Sequence, residues 1–317
     1  MNELVHPSKA EGAPPHPGMI WIPGGTFTMG SDGHYAEEAP AHRVRVDGFW
    51  MDAFTVTNRD FERFVAETGY VTSAERPANP DDYPGAKPEM LVPSSTMFKK
   101  PAGPVDMRNH YNWWFYVPGA NWRHPRGPAS KIKKLMDHPV VHIAYEDALA
   151  YAKWRGRDLP TEAEYEYAAH GGTSTAYPWG DTFAIRSKMM ANTWQGAFPF
   201  QNTAKDGFVS TSPVGCFPAN GYGLYDMVGN VWQWVKDPWQ QNHAQQVSEP
   251  PPNPNVDLED ALVAKARSTD LGTIKGGSFL CSPIYCKRYR PSARHAQDVT
   301  MGTNHIGFRT VLRLPGS

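Results

Sequence analysis

Regular spacing of apolar residues stops about halfway along this chain, and that constrains the fold more than any other feature. From residue 171 to the C-terminus the sequence is dense in Asn, Gly and Trp, and it shows neither a sustained helical period nor a long strand alternation. No internal repeat is evident that would stack such segments into a solenoid. Loops and short strands must therefore carry this half, so side-chain packing has to supply what ladders and helices do not. Composition agrees: Gly and Pro together make 58 of 317 residues, well above the ~12% of average usage, and eleven tryptophans provide large packing units. The expectation is an irregular α/β (α+β) fold of low secondary-structure content. A loose tail is expected over residues 1–18 and a single domain over 19–317.

The first half carries clearer signals. Alternation in Ile20-Trp21-Ile22 and Arg43-Val44-Arg45-Val46-Asp47 predicts short strands, separated by Gly24-Gly25 and an acidic stretch around Glu37-Glu38. Phe61, Phe64, Val65 and Thr68 follow the i, i+3, i+4, i+7 pattern of one helical face, with Thr57 as N-cap and Gly69 at the end. A second helix is expected from Tyr145 to Arg155, ahead of Gly156. A third begins at a capping box formed by Thr161 and Glu164.

Two of the three cysteines lie within Gly276-Gly277-Ser278-Phe279-Leu280-Cys281-Ser282-Pro283-Ile284-Tyr285-Cys286-Lys287-Arg288-Tyr289-Arg290. On a helix, positions i and i+5 stand about 140° apart, and on a strand an odd separation sends them to opposite faces. Pro283 further disfavours a regular ladder. A tight turn is the remaining way to bring Cys281 and Cys286 together, which suits a disulfide or a soft metal held by two thiolates. The competing reading is two small buried hydrophobes. Cys216 has no neighbour in sequence and is expected to be structural.

Several classes lack support. A net charge of -1 and a pI near 6.9 give no electrostatic footprint for nucleic acid. No apolar run approaches the ~18 residues of a membrane helix, so no membrane partner is expected. Without a basic start and apolar run at the N-terminus, and with only three cysteines, a cytoplasmic setting is expected. A Gly-x-Ser-x-Gly nucleophile elbow is not seen. His138, His142 and Glu146 have the i, i+4 spacing of metal ligands on a helix, but Pro139-Val140-Val141 argues for strand or loop and for structural histidines. The glycine-rich, oxygen-bearing stretch 220–234 has the make-up of a calcium-binding loop and equally of simple turns.

The cysteine segment, with Gly119-Ala120-Asn121-Trp122-Arg123-His124-Pro125, Leu159-Pro160-Thr161-Glu162-Ala163-Glu164, Asn192-Thr193-Trp194-Gln195-Gly196 and Gly221-Tyr222-Gly223-Leu224-Tyr225, resembles the formylglycine-generating enzyme (sulfatase-modifying factor) family from Met19 to about Arg313. The resemblance implies a C-type-lectin-like fold. It also implies a copper-dependent oxidase that converts a cysteine of an unfolded sulfatase polypeptide, in a Cys-x-Pro-x-Arg type motif, to Cα-formylglycine with O2 and a reductant. Copper(I) would be held by Cys281 and Cys286, with Ser278 and Trp232 lining the oxygen pocket and Tyr285 beside the substrate groove. The stretch Arg108 to Arg126, with Trp113, Trp114, Tyr116 and Trp122, would border that groove.

Two calcium sites carry over in the same way. The first would use the Asn192 and Asp206 side chains with the Thr193 and Phe208 carbonyls; the second, the Asp226 and Gln233 side chains with the Gly229 and Val231 carbonyls. The chain departs from the family pattern with Gln233 for a frequent glutamate, Asp226 for a frequent asparagine, and Ser282 for a frequent histidine. The alternatives are a non-catalytic binding module on the same scaffold and an oxidase with a target other than a sulfatase. Retention of both cysteines in a Gly-Gly-Ser context favours the enzyme.

Overall fold

The computed structural model describes residues 14–244 and 270–314, so most of the expected N-terminal tail lies outside the described residues. The first half contains β1 (Met19–Ile22), β2 (Gly25–Met29), β3 (His42–Val46), β4 (Phe49–Asp52), α1 (Asn58–Thr68), β5 (Ser94–Phe98), β6 (Trp114–Pro118), α2 (Tyr145–Trp154) and α3 (Glu162–His170). Among the described residues after α3 the helices give way to short strands: β7 (Ala184–Ile185), β8 (Lys188–Met189), β9 (Trp232–Pro238), β10 (Leu271–Lys275), β11 (Arg294–Asp298), β12 (Ile306–Gly307) and β13 (Val311–Arg313). This is the irregular α+β architecture that the loss of periodicity predicts.

Local chemistry sets the helix ends as expected. The Thr57 side chain accepts from Asp60 N and that carboxylate accepts from Thr57 N, while Gly69 closes α1 in the left-handed region. Thr161 and Glu164 form the same reciprocal cap on α3. In α2 the cap is Ala144, and the Asp147 carboxylate accepts from its amide at 2.9 Å. The apolar face of α1, Phe61, Phe64 and Val65, is buried in the main core with Trp122, Tyr151, Trp234 and Phe308.

Two sheets organise the molecule. In one, β4 lies between β1 and β13, both antiparallel, so strands from the two ends of the domain share one ladder. In the other the order is β11-β10-β9-β12, with β9–β10 and β10–β11 antiparallel and β12 parallel to β9. The long connection between β10 and β11 carries both clustered cysteines. Its two feet are fixed by α3: Lys275 Nζ donates to Glu166 at 2.6 Å, and Arg294 donates to both oxygens of Glu162 at 2.7 and 2.9 Å. All four side chains are fully buried.

The pair Glu37-Glu38, expected in an acidic connecting stretch, does more than link strands. Glu38 is buried and takes a bidentate bond from Arg290 at 2.6 and 2.7 Å.

Removing one partner of a buried ion cluster strands the others, which costs about 3–5 kcal/mol. Glu162→Gln should therefore lower the unfolding free energy by about that amount at neutral pH, measured by denaturant titration. Burial by itself would push the Glu162 carboxyl up, but Arg294 and Lys275 outweigh it and hold it well below the usual range. Its contribution is thus complete above the ordinary value of 4.5 and fades as pH falls below it. The gap between parent and variant should narrow on acidification, and a gap independent of pH would contradict this assignment.

Candidate active site

The β10–β11 connection begins with a double glycine because nothing else fits. Gly276 and Gly277 both have positive φ, at 91° and 75°. A Cβ on Gly276 would strike the Tyr165 hydroxyl, and one on Gly277 would strike the Arg288 carbonyl. The turn thereby presses the start of the loop against its return limb. Phe279 N then donates to Asn230 O and Trp194 N to Cys281 O, each at 2.9 Å, so Cys281 is rooted in the interior. Cys286 N reaches back to Ser282 O at 3.0 Å and Tyr285 N to the same oxygen at 3.2 Å, closing a turn.

That turn places Cys281 Sγ and Cys286 Sγ 3.3 Å apart as free thiols. Their environments differ. Burial, and then the bond to Cys286, push the Cys281 thiol well above its ordinary value. The hydrogen bond from Cys281, followed by the Arg288 charge and hydrogen bond, pulls Cys286 down against its own burial. Of the two sulfurs, Cys286 is the one whose surroundings favour the thiolate. Ser278 sits at the buried side, its amide 3.4 Å from Cys281 Sγ and its hydroxyl accepting from Leu280 N at 3.2 Å.

Both sulfurs line a cavity of about 740 Å³. One wall is a sheet face: Trp232 from β9, Ile274 from β10, and His295 and Gln297 from β11. The opposite side is aromatic, with Tyr111, Trp114, Phe115, Tyr116 and Phe198. Tyr285 also lines it and stacks on Phe198, with ring centres 4.5 Å apart. Ser278, Trp232, Tyr285, Cys281 and Cys286 thus converge on one space.

Other sequence expectations divide. Tyr116 and Trp114 border the cavity, but Trp113 is buried beneath Tyr285 and Phe198, and Trp122 sits in the main core with its indole N–H on Glu75 at 3.1 Å. Those two are packing residues. His138 and His142 occupy irregular backbone with separate partners, Thr211 for the first and Ser95 and Pro125 O for the second, while Glu146 pairs with Arg76. Cys216, expected to pack as a structural residue, is exposed instead. His295, Gln297, Thr303 and His305, not foreseen, add polar groups to the cavity lining, as do Thr96 and His110. The alternation of His295 and Gln297 is a strand signal too short to stand out from the surrounding loops.

Around Asn192, the Asp206 carboxylate accepts from Thr193 N at 3.0 Å, Gln195 Nε2 at 2.8 Å and Phe208 N at 3.0 Å. Asn192 donates through Nδ2 to Ser210 O, and its buried Oδ1 has no hydrogen-bond partner. A buried amide oxygen without a hydrogen-bond partner, next to Thr193, is of the ligand type that oxygen-coordinated cations use. Around Asp226 the arrangement differs. Gln233 Oε1 accepts from the buried Arg309 Nε at 2.7 Å, Gln233 Nε2 donates to Asp226 O, and the Asp226 carboxylate accepts from Gly215 N. A guanidinium already occupies the side of Gln233 that a second calcium would need.

The structure places a pair of free thiols in a cavity of an irregular C-type-lectin-like scaffold. A sulfatase-modifying factor enzyme 1-like domain matches residues 5–314. The chain is 50% identical over 293 residues to formylglycine-generating enzyme of Mycobacterium tuberculosis, covering 92% of this chain and 97% of that protein. It is 43% identical over 296 residues to the enzyme of the same name from Mus musculus, covering 92% and 74%. Among solved structures, PvdO from Pseudomonas aeruginosa shares the fold with a TM-score of 0.63 and 24% identity, over 93% of this chain and 94% of that one. The chain belongs to the sulfatase-modifying factor family.

The asymmetry of the thiols gives a direct expectation. In a Cys216→Ser protein free of metal, iodoacetamide at neutral pH should modify Cys286 at least about tenfold faster than Cys281, because only the former is partly exposed and favours the thiolate. Peptide mapping that found Cys281 modified first would reverse the assignment.

Proposed function

We propose that this protein oxidises a peptidyl cysteine of a sulfatase to Cα-formylglycine, with copper(I) held by Cys281 and Cys286. The observation that carries the reading is the pair of free sulfurs 3.3 Å apart on the wall of a 740 Å³ cavity. Two thiolates are a soft donor set suited to copper(I), and binding would deprotonate both. When bound, copper(I) supplies a soft, redox-active centre for the substrate sulfur and O2. In the overall reaction the thiol-bearing methylene of the substrate becomes an aldehyde and its sulfur leaves as hydrogen sulfide, with one O2, two electrons and two protons consumed and one water formed. Of the four electrons O2 accepts, two come from the substrate and two from the reductant.

The chain's own groups prepare this chemistry. Ser278 N holds Cys281 in place, Trp232 closes the wall behind the sulfurs, and Tyr285 on Phe198 forms an aromatic rim. The cavity is large enough to take an extended peptide segment, and distant contacts along it orient the reacting sulfur. An unfolded polypeptide is therefore the substrate form that the reading assigns.

Copper uptake and turnover test it. X-ray absorption of the copper(I)-loaded protein should show sulfur ligation from two cysteines. Cys281→Ser and Cys286→Ser should each lose that signature and reduce turnover by at least about a hundredfold, whereas Cys216→Ser should match the parent. Retained copper binding and turnover in both active-site variants would refute the assignment.

Calcium belongs to the reading at the first set only, where Asn192 Oδ1 lacks a partner beside the Asp206 loop. Chelation should lower the melting temperature by roughly 5 °C, the scale expected when a ligand at about 100 times its Kd is withdrawn. Asp206→Ala should remove that sensitivity. Calcium-independent melting of the parent would rule the site out.

A further inference from the structure

The two sulfurs are anchored very differently. Cys281 is buried, its carbonyl fixed by Trp194 N and its amide by Ser278 O. Cys286 instead lies between exposed Tyr285 and exposed Lys287, and within its own loop its backbone amide is held by Ser282 O. Tyr289 packs into the core against Phe183, and a second anchor beyond Cys286 comes from more than 240 residues away in sequence, from the turn Tyr35–Glu38 between β2 and β3.

That turn grips three of the first four positions after the cysteine, and Ser292 beyond them. Lys287 N donates to Tyr35 Oη at 3.0 Å. The Arg288 guanidinium lies over the Tyr35 ring at 3.8 Å and donates through Nε to Glu37 Oε1 at 2.8 Å. Arg290 makes its bidentate bond to Glu38, which also accepts from Ser292 Oγ at 2.8 Å. The turn is itself tied down, because Ser31 N donates to Glu38 O and Gly30 N to Glu166 Oε1 of α3. The guanidinium that Glu37 and Tyr35 hold is the one whose charge and hydrogen bond reach Cys286.

We infer that the Tyr35–Glu38 turn is the positioning element for Cys286, and that Glu37 and Tyr35, acting through Arg288 and Lys287, set where the second sulfur of the pair stands. The inference rests on the proposal that the pair holds copper(I). Glu37 and Tyr35 are positioning residues: Glu37 bonds Arg288 and Tyr35 bonds Lys287, the residues next to Cys286. Two features single out this turn. It is bound at three of four successive residues on the far side of the cysteine, and two of those, Lys287 and Arg288, directly follow it. Partners that orient a metal ligand influence affinity by about 10–100-fold even though they never touch the metal.

Glu38 is a poor probe, since its loss leaves Arg290 buried and unpaired and endangers folding. Glu37 and Tyr35 are partly exposed, so Glu37→Gln, Tyr35→Phe and the double variant should fold. Copper(I) affinity is measured by competition with a chromophoric copper(I) chelator, alongside melting temperature. Asp137→Asn, which breaks the exposed pair with Arg59, serves as control. The double variant should bind copper(I) about tenfold or more weakly than the parent with little change in melting temperature. Glu37→Asp should recover part of the loss, and Asp137→Asn should bind like the parent. Parent-like affinity in the double variant, or an equal loss in the control, overturns the inference while leaving the copper assignment standing. A parent that takes up no copper(I) overturns both.

Discussion

Everything at the site depends on a buried cluster of two acids and two bases. Glu162 and Glu166 on α3 hold Lys275, the last residue of β10, and Arg294, the first of β11. The residues between those two cations form the long loop that carries the thiols, so α3 fixes both ends of an otherwise irregular excursion. A charge cluster of this kind contributes little net stability over an apolar core, because desolvation offsets most of the Coulomb gain. Its geometry matters more: the bonds from Lys275 to Glu166 and from Arg294 to Glu162 set where the loop's two feet stand on α3.

Legibility in the sequence follows the range of the interactions. Helices α1 and α3 were readable because their ends are set within three or four residues by Thr57 with Asp60 and Thr161 with Glu164. The turn joining Cys281 and Cys286 was readable because neither helix nor strand geometry brings i and i+5 together, and the structure closes it through Ser282 O. The grip of Tyr35–Glu38 on residues 287–290 was not, since no local rule links positions more than 240 apart. Aromatic residues were misread for the same reason. Trp113 and Trp114 are neighbours in sequence, yet one is buried against Phe198 and Tyr285, distant in sequence, and the other lines the cavity.

The two oxygen-rich sets show how a single amide changes a site. At Asn192 an amide oxygen is left without a partner while a carboxylate gathers three N–H groups nearby. At Gln233 the equivalent oxygen meets the buried guanidinium of Arg309, which also takes the carbonyls of Tyr225, Asp52 and Ala53. There a fixed organic cation bridges the segments, and it is not removed by a chelator.

Whether the paired sulfurs act on the cysteine of an extended peptide is decided by mass spectrometry. The copper(I)-loaded protein, O2 and a thiol reductant are incubated with a peptide containing Leu-Cys-Thr-Pro-Ser-Arg, with a version in which proline and arginine are scrambled, and with free cysteine. An aldehyde should form at the cysteine of the first peptide, with strongly reduced conversion of the scrambled peptide and none of free cysteine. Absence of aldehyde on every peptide, or equal conversion of free cysteine, would contradict this assignment.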